Sequence, residues 1–304
     1  MNVKTKDFPC QIFRKTLYLT DLKEGMGKII AFCNQKGGVG KTTSVVNLGA
    51  SLALGEKKVL LVDLDPQSNA TSGLGIDKKA LLKTVYDVLI SSTPLNEVIL
   101  KTEMNFLDLV PANTNLVGAE VELISFMERE KQLSKALQPV KDEYDFIFID
   151  SPPSLGLLTV NALVAADSVI IPIQCEYYAL EGVSQLNHTI GMVQKGVNPN
   201  LKIEGVLLTM YDARLNLSRQ VQEEAKRFFG NVVYETVINR NVKLAEAPSF
   251  GKPIVLYDIL SAGAENYLNL AKEILNGQSS IGEGAGSPAP EEPGGRPSVQ
   301  SDSN

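Results

Sequence analysis

A glycine-rich stretch near residue 40 brings together residue types that bind phosphate. Its sequence is Lys36-Gly37-Gly38-Val39-Gly40-Lys41-Thr42-Thr43. Glycines lack a Cβ, so successive backbone N–H groups can curl around an oxyanion. The second lysine can bind the β- and γ-phosphate oxygens, and the threonine that follows it can ligate Mg²⁺ through its hydroxyl. The stretch therefore predicts a phosphate-binding loop for a nucleotide and Mg²⁺.

The segments on either side are those that such a loop requires. The apolar run at residues 28–32 has strand composition, and residues 44–53 have helix composition. A helix that begins near Lys41 would direct the positive end of its dipole at the bound phosphates. A purely structural glycine turn is the alternative, and this context disfavours it. The residues expected to contact the nucleotide here are Gln35, Lys36, Gly37, Gly38, Val39, Gly40, Lys41, Thr42 and Thr43.

Two aspartates follow a second apolar run, at residues 58–62. The run lacks polar alternation, which predicts a buried parallel strand. Asp63 and Asp65 would then lie at its carboxyl end, where ligands bind in open α/β sheets. A carboxylate at that position can orient an attacking water or bind a magnesium-bound water. Capping of the following turn is the alternative role, and Asp63 is the better candidate for it.

A third apolar run, residues 144–149, ends in Asp150 and is followed by Ser151-Pro152-Pro153. An apolar run that ends in aspartate is common by chance. Together with a phosphate-binding loop it predicts a Walker B strand, whose carboxylate lies close to Mg²⁺. We therefore expect Thr42 and Asp150 to form the metal site.

Five motifs together resemble one family. They are the doubled lysine of KGGVGKT, the run DLDPQ at residues 63–67, DSPP at 150–153, YYALEG at 177–182 and the long run at 237–253. With them the chain resembles the ParA/Soj partitioning ATPases of the ParA/MinD class, over nearly all of residues 28–276. The late run departs from the family pattern at Asn239, where proline is usual.

The resemblance implies a catalytic set and its cofactors. ATP with Mg²⁺ would be bound by Lys41, and Asp65, the second aspartate of its motif, would assist hydrolysis. In that family the first lysine of the loop, here Lys36, reaches the partner subunit's nucleotide across a homodimer. A solvated loop lysine is the alternative for Lys36. Met210 follows a predicted strand at 203–209 and suits a contact with the adenine or the partner subunit, and Asn239 would lie beside the base.

The resemblance also implies binding partners. In ParA/Soj proteins the ATP-bound dimer binds DNA without sequence preference, and a ParB-like protein stimulates turnover. The basic residues that match best are Arg214, Arg219, Arg240 and Lys243. Residues 205–257 include seven basic and five acidic residues, in a chain of net charge −6. That small local excess would not by itself identify a DNA-binding surface, because charge runs are usually solvated faces.

Alternating strands and helices predict an α/β fold: a doubly wound, mostly parallel sheet with helices on both faces, as in P-loop NTPases. We expect an N-terminal extension at 1–27, the ATPase domain at 28–276 and a disordered polar tail at 277–304. The closing helix is predicted to stop at Asn276-Gly277. Scattered cysteines and the lack of a long apolar run predict a cytoplasmic protein without a membrane span. The resemblance to DNA-binding partitioning ATPases implies association with the nucleoid, and the polar tail predicts no membrane attachment.

Two other functions remain compatible with the motifs. One is a MinD-like or other ATP-gated dimer that recruits a protein partner without binding DNA. MinD-like proteins end in a basic amphipathic helix, whereas this chain ends in a polar, acidic and proline-rich segment. The other is a nitrogenase-iron-protein-like electron carrier, which needs cysteines at the dimer face. Cys33 and Cys175 lie instead in segments predicted to be buried strands.

Overall fold

A computed structural model describes residues 27–176 and 181–280 of the chain. The predictions for the N-terminal extension, for the YYAL part of the helix expected from residue 177, and for most of the polar tail lie outside the described residues.

A seven-stranded sheet forms the centre of the fold, in the order β3-β4-β2-β5-β1-β6-β7. All neighbouring strands are parallel except β3 and β4. The predicted doubly wound, mostly parallel sheet is thereby confirmed. The strands are β1 (Lys28–Phe32), β2 (Val59–Asp63), β3 (Leu100–Lys101), β4 (Leu107–Val110), β5 (Phe146–Asp150), β6 (Ser168–Gln174) and β7 (Lys202–Thr209).

Eleven α-helices connect or cover the strands within the described ranges. They are α1 (Lys41–Leu54), α2 (Asn69–Gly73), α3 (Val85–Ser91), α4 (Leu116–Glu122), α5 (Gln132–Leu137), α6 (Leu157–Ala165), α7 (Glu181–Gly196), α8 (Asn216–Phe229), α9 (Val242–Glu246), α10 (Ile254–Tyr257) and α11 (Ala262–Ser280). None of them is both long and apolar enough to cross a bilayer.

The continuous apolar runs of the central strands follow from burial on both faces. Ile29 and Ala31 pack in the core on one face of the sheet. Ile30 and Phe32 pack in the core on the other face, together with α1 and α11. Successive side chains of a strand point to opposite faces, so a strand covered by helices on both sides has no polar face. This explains the absence of alternation in the sequence.

The parallel register brings the motif residues to one edge of the sheet. Phe32, the last residue of β1, is paired with Asp150 of β5, and Asp63 of β2 is paired with the same Asp150. The phosphate loop leaves the end of β1 at this level. The three motifs, which are far apart in sequence, therefore meet at the carboxyl ends of three adjacent strands, which is where ligands bind in open α/β sheets.

Three details differ from the prediction. The short antiparallel strand β3 adds an edge to the sheet that the sequence did not indicate, because two residues carry too little pattern to be detected. Cys33 and Cys175 are buried but follow the last residues of β1 and β6. Helix α11 continues past Asn276-Gly277 to Ser280. A glycine costs a helix only about 1 kcal/mol, which a helix anchored by the buried Tyr267 and Leu270 can accommodate.

Candidate nucleotide-binding site

The loop between β1 and α1 adopts a conformation that depends on its glycines. Gly38 and Gly40 have φ angles of 74° and 86°, in the left-handed region that residues with a Cβ rarely adopt. Gly40 precedes α1, and no side chain caps the N-terminus of that helix. The first N–H groups of α1 are therefore available to an anion, and the helix dipole favours one there.

Asn34 anchors the start of this loop. Its Nδ2 donates to the Pro172 carbonyl at 2.7 Å, and its Oδ1 accepts from the Lys36 N–H at 3.0 Å. On the far side, the Thr209 hydroxyl donates to the Val39 carbonyl at 2.8 Å. The loop is thus tied to β6 and β7 as well as to the elements that it joins, which holds its backbone in one shape.

Lys41 is buried, with 6% of its surface exposed. Its ammonium donates to the carbonyl oxygens of Asn34, at 2.9 Å, and of Lys36, at 3.3 Å. Burial lowers the pKa of Lys41, while the carboxylate of Asp150 is the main group that opposes this shift. The cation is therefore held inside the curve of the loop by neutral carbonyls, where an incoming phosphate can compete for it.

Asp63 has a structural role in this site. Its carboxylate accepts hydrogen bonds from the Thr71 hydroxyl at 2.6 Å, the Thr71 N–H at 2.8 Å and the Asp65 N–H at 3.2 Å. The Thr71 hydroxyl also accepts from the Ala112 N–H at 3.0 Å. Burial raises the pKa of Asp63 to about 6 against the effect of these hydrogen bonds. Asp63 therefore fixes the segment that carries Asp65, which agrees with the capping role considered for it.

Asp150 lies fully buried behind Thr42. Neither of its carboxylate oxygens has a hydrogen-bond partner of good geometry in the described part of the chain. Desolvation raises its pKa well above the usual range, and the charge of Asp63 adds to that effect; the nearby Thr42 hydroxyl acts in the opposite direction. A buried carboxylate without partners is costly. Here it is adjacent to a threonine hydroxyl, and two oxygen donors of this kind suit Mg²⁺ and its bound waters.

A cavity of ≈ 420 Å³ opens in front of the loop. Asp65, which is 7% exposed, faces this cavity and accepts a hydrogen bond from the Gln67 N–H at 2.9 Å. The predicted residues that line it are Gly37, Gly38, Gly40, Lys41, Thr42, Thr43, Asp65 and Met210. Most of the sequence-predicted site is therefore brought together around one cavity.

A second cavity of ≈ 190 Å³ adjoins the first and shares Gly40, Thr43 and Met210 with it. Asn239 lines this second cavity beside the buried Ile238 and Leu244. Asn239 is held there by Asn266, whose Oδ1 accepts from its N–H at 3.0 Å. A mainly apolar recess next to a phosphate-binding loop has the shape and chemistry for a nucleotide base.

Gln35, Lys36 and Val39 do not line the first cavity. Val39 is buried, and the Gln35 Oε1 is buried without a hydrogen-bond partner in the described part of the chain. Lys36 is partly exposed. Only its main-chain groups are engaged within the described residues: its N–H donates to Asn34, and its carbonyl accepts from Lys41. The ammonium of Lys36 is thus available outside its own cavity.

The basic residues predicted to bind DNA lie on two segments that pair with each other. Tyr211 forms a bridge with Asn239, and the Arg240 N–H donates to the Tyr211 carbonyl at 3.0 Å. Arg214 and Arg219 follow Tyr211 in the sequence, and Arg240 and Lys243 follow Asn239. The pairing therefore places the two segments side by side at the end of β7.

Acidic or polar neighbours contact each of the four basic side chains. Arg214 binds Asp212 through two hydrogen bonds, at 2.9 and 2.7 Å, although 89% of its side chain is exposed. The other contacts are Arg219 Nη2 to Asn216 Oδ1 at 2.9 Å, Arg240 Nη2 to Glu176 Oε1 at 3.4 Å and Lys243 Nζ to Glu246 Oε2 at 3.4 Å. The patch is exposed but largely charge-compensated.

Several cavity residues are not among the predicted site residues, although residues 68–75 resemble a family segment expected near the nucleotide. The segment after Asp65 contributes Gln67, Asn69, Ser72 and Gly73, and the late run contributes Ala247, Pro248 and Lys252. Both segments resemble family patterns, which was a signal that they matter. Their distance along the chain from the phosphate loop concealed which of their side chains face the cavity.

The chain is similar to known proteins over most of its length. An AAA domain family matches residues 27–203. The sporulation initiation inhibitor protein Soj of Bacillus subtilis is 61% identical over 249 residues, which cover 82% of this chain and 98% of that protein. The chromosome partitioning protein ParA of Myxococcus xanthus is 57% identical over 250 residues, which cover 82% of this chain and 88% of that protein.

A solved structure shares the fold and holds a nucleotide. It is that of cobyrinic acid a,c-diamide synthase from Mycobacterium smegmatis with bound ADP and magnesium. It superposes with a TM-score of 0.75 at 38% identity, covering 84% of this chain and 97% of that one.

The sheet order, the phosphate loop and the two carboxylates at its edge define a P-loop ATPase of the ParA/MinD class. The high sequence identity over almost the whole length of the relatives assigns the chain to one family within this class. The chain belongs to the ParA/Soj family of ATPases.

Proposed function

We propose that this protein is an ATPase that partitions chromosomal or plasmid DNA. Mg-ATP binding brings two copies together, the dimer binds DNA without sequence preference, and a ParB-like protein stimulates slow hydrolysis, which releases the DNA. The observation that carries this proposal is the single cavity that joins Lys41 and Thr42 to Asp65, with Asp150 behind Thr42.

The residues present fit a nucleotide with Mg²⁺. Asp150, with its two unpartnered buried oxygens, and Thr42 would hold the ion or its waters. When bound, Mg²⁺ would neutralise charge on the phosphate oxygens. Lys41 would bind the same phosphates as a point charge, and Asp65 would orient the attacking water. Met210 and Asn239 would hold the base in the second cavity.

Lys36 would serve the partner subunit. Its side chain lies outside the cavity of its own subunit and has no acidic partner among the described residues. An ammonium in such a position can reach a phosphate of a second copy that docks face to face, as an arginine finger does. Nucleotide occupancy and dimerisation would then be one event.

Three substitutions test this scheme. Lys41→Ala is expected to abolish ATP binding, measured by calorimetry. Lys36→Ala should bind ATP but remain monomeric in sedimentation with a non-hydrolysable ATP analogue. Asp65→Ala should give a stable ATP dimer that hydrolyses ATP at least about a hundredfold more slowly. A wild-type protein that stays monomeric with saturating analogue would contradict the proposal, as would normal hydrolysis by the Asp65 variant.

A second function, an ATP-gated dimer that recruits a protein without DNA, is favoured by the compensated charges around Arg214 and Lys243. A gel-shift assay with ATP and random-sequence DNA separates the two functions. DNA binding that weakens with salt and is lost on charge reversal of Arg214 and Lys243 supports the partitioning function. Absence of any shift with an ATP-bound dimer supports the second function.

A further inference from the structure

Lys252 is a third lysine in the nucleotide cavity. It lies in the late run of the sequence, and it lines the cavity together with Gly37, Lys41 and Asp65. It is partly buried. No role for it followed from the motifs.

The backbone around Lys252 is fixed in position. The Lys252 N–H donates to the Ala247 carbonyl at 3.3 Å, and the Gly251 N–H donates to the Pro248 carbonyl at 3.0 Å. Two residues further on, the Ile254 N–H donates to Asn47 Oδ1 at 2.6 Å, in a buried hydrogen bond. Asn47 belongs to α1, the helix that begins at the phosphate loop. The lysine is therefore carried on a segment tied to the same helix that receives the phosphates.

The ammonium of Lys252 has no hydrogen bond or ion pair within the described residues. Several lysines that the structure describes form ion pairs: Lys28 with Glu204 at 2.7 Å and Lys141 with Asp167 at 2.9 Å are examples. An ammonium that lines a cavity and has no counter-ion there can bind a ligand that brings negative charge. Asp65 is the acidic residue that shares the cavity with it.

We propose that Lys252 is a further phosphate-binding residue, which contacts the phosphate oxygens of the nucleotide in its own subunit together with the phosphate loop. The proposal rests on the nucleotide binding of the proposed function. Lys41 and Lys252 would then hold the phosphate chain between two cations, and Lys36 would be left for the partner subunit. Charge-assisted hydrogen bonds of this kind are among the stronger polar contacts in proteins.

Calorimetric titration with ADP, the non-hydrolysable ATP analogue and adenosine tests the proposal on the full-length protein. Lys252→Gln is expected to weaken ADP and ATP-analogue binding about tenfold and to leave adenosine binding unchanged. Lys252→Arg, which keeps the charge, should stay within about threefold of wild type. Lys202→Gln is the matched control, because it removes one positive charge at the first residue of β7, at the opposite end of the sheet.

The outcomes separate this inference from the proposed function. Equal ADP and ATP-analogue affinities for Lys252→Gln and wild type would overturn the role of Lys252 and leave the proposed function intact. Equal weakening by Lys252→Gln and Lys202→Gln would also overturn it, because the effect would then be one of net charge. A wild-type protein that binds neither nucleotide would overturn the proposed function and this inference with it. Circular dichroism on each variant verifies that the fold is retained.

Discussion

Gly75 and Gly251 meet backbone to backbone at the side of the nucleotide cavity. Their φ angles are +79° and +63°. A Cβ placed on Gly251 would lie 2.5 Å from the Gly75 Cα, a distance that real Cβ atoms do not show. Gly75 ends the segment that begins at Asp65, and Gly251 precedes Lys252. The contact therefore joins two cavity walls that are 176 positions apart in the sequence.

The first prediction concerns this contact. Gly251→Ala should lower the free energy of unfolding by about 2–3 kcal/mol, because alanine is strained at a positive φ and its Cβ would displace a backbone atom. ATP affinity should fall as well, since both cavity walls shift. Chemical denaturation and calorimetry measure the two effects.

Gly191→Ala provides the control. Gly191 lies in α7, where a Cβ would meet nothing within 4 Å. Alanine should stabilise that helix by about 0.5–1 kcal/mol. A Gly251→Ala variant as stable as wild type would show that the two walls are free to separate.

The second prediction follows from the unpartnered carboxylate of Asp150. Without Mg²⁺ and nucleotide, Asp150→Asn should raise the free energy of unfolding by about 1–2 kcal/mol at pH 8, because it removes a buried charge. The same variant should lose Mg²⁺-dependent ATP hydrolysis. Urea denaturation in EDTA and a phosphate-release assay measure these opposite effects. A less stable variant in EDTA would mean that the carboxylate already has a partner.

The third prediction concerns pH. The pKa of Asp63 is raised from 3.8 to about 6 by burial, so the folded protein binds its proton more tightly than the unfolded chain. Its contribution to stability is therefore largest below about pH 4, falls by roughly 3 kcal/mol as the pH rises through about 6 and is constant above about pH 7. Asp63→Asn should remove this dependence. The difference between wild type and variant, measured by urea denaturation from pH 4 to 8 in EDTA, isolates it from other titrating groups.

The fourth prediction tests the patch around Arg214. The hydrogen bonds from Arg214 lower the pKa of Asp212 to about 2, so Asp212 is charged at neutral pH and occupies the guanidinium. Asp212→Asn should release Arg214, strengthen ATP-dependent DNA binding and steepen its salt dependence by about one phosphate contact. Fluorescence anisotropy over a salt series measures both quantities.

Glu235→Gln is the control for net charge in that experiment. Glu235 pairs with Lys226 at 3.0 Å. Lys226 lies on the same helix as Arg219 but outside the predicted patch. Its substitution changes the net charge of the protein by the same amount. Equal gains in DNA affinity from both variants would remove Arg214 from the DNA-binding site.

Local motifs carried most of the predictions about where the candidate site residues lie. Lys41, Thr42, Asp65 and Asp150 could be predicted to meet at one edge of the sheet because each belongs to a short pattern whose neighbours specify a strand, a loop and a helix. The parallel sheet followed from the apolar runs, because only burial on both faces removes polar alternation. Met210 could be placed near the site because ligands bind at the carboxyl ends of parallel strands.

The remaining features depend on contacts between distant segments. Lys252 faces the cavity only because Asn47 and Gly75 hold its segment, and no pattern around residue 252 indicates this. The extra strand β3 pairs through two residues, which is too short for periodicity to reveal. The end of α11 was misplaced because asparagine and glycine usually stop helices, whereas here the backbone remains helical to Ser280.

The pairing of Tyr211 with Asn239 has a consequence for how nucleotide binding and DNA binding are coupled in the proposed cycle. Asn239 borders the recess for the base, and the very next residue, Arg240, belongs to the basic patch. One peptide unit separates them, so in the proposed cycle a shift of Asn239 on nucleotide binding would move the backbone of Arg240 without any domain rotation. Such coupling is reciprocal. If nucleotide binding favours one position of Arg240, DNA that binds to this position must raise the affinity for the nucleotide by the same factor.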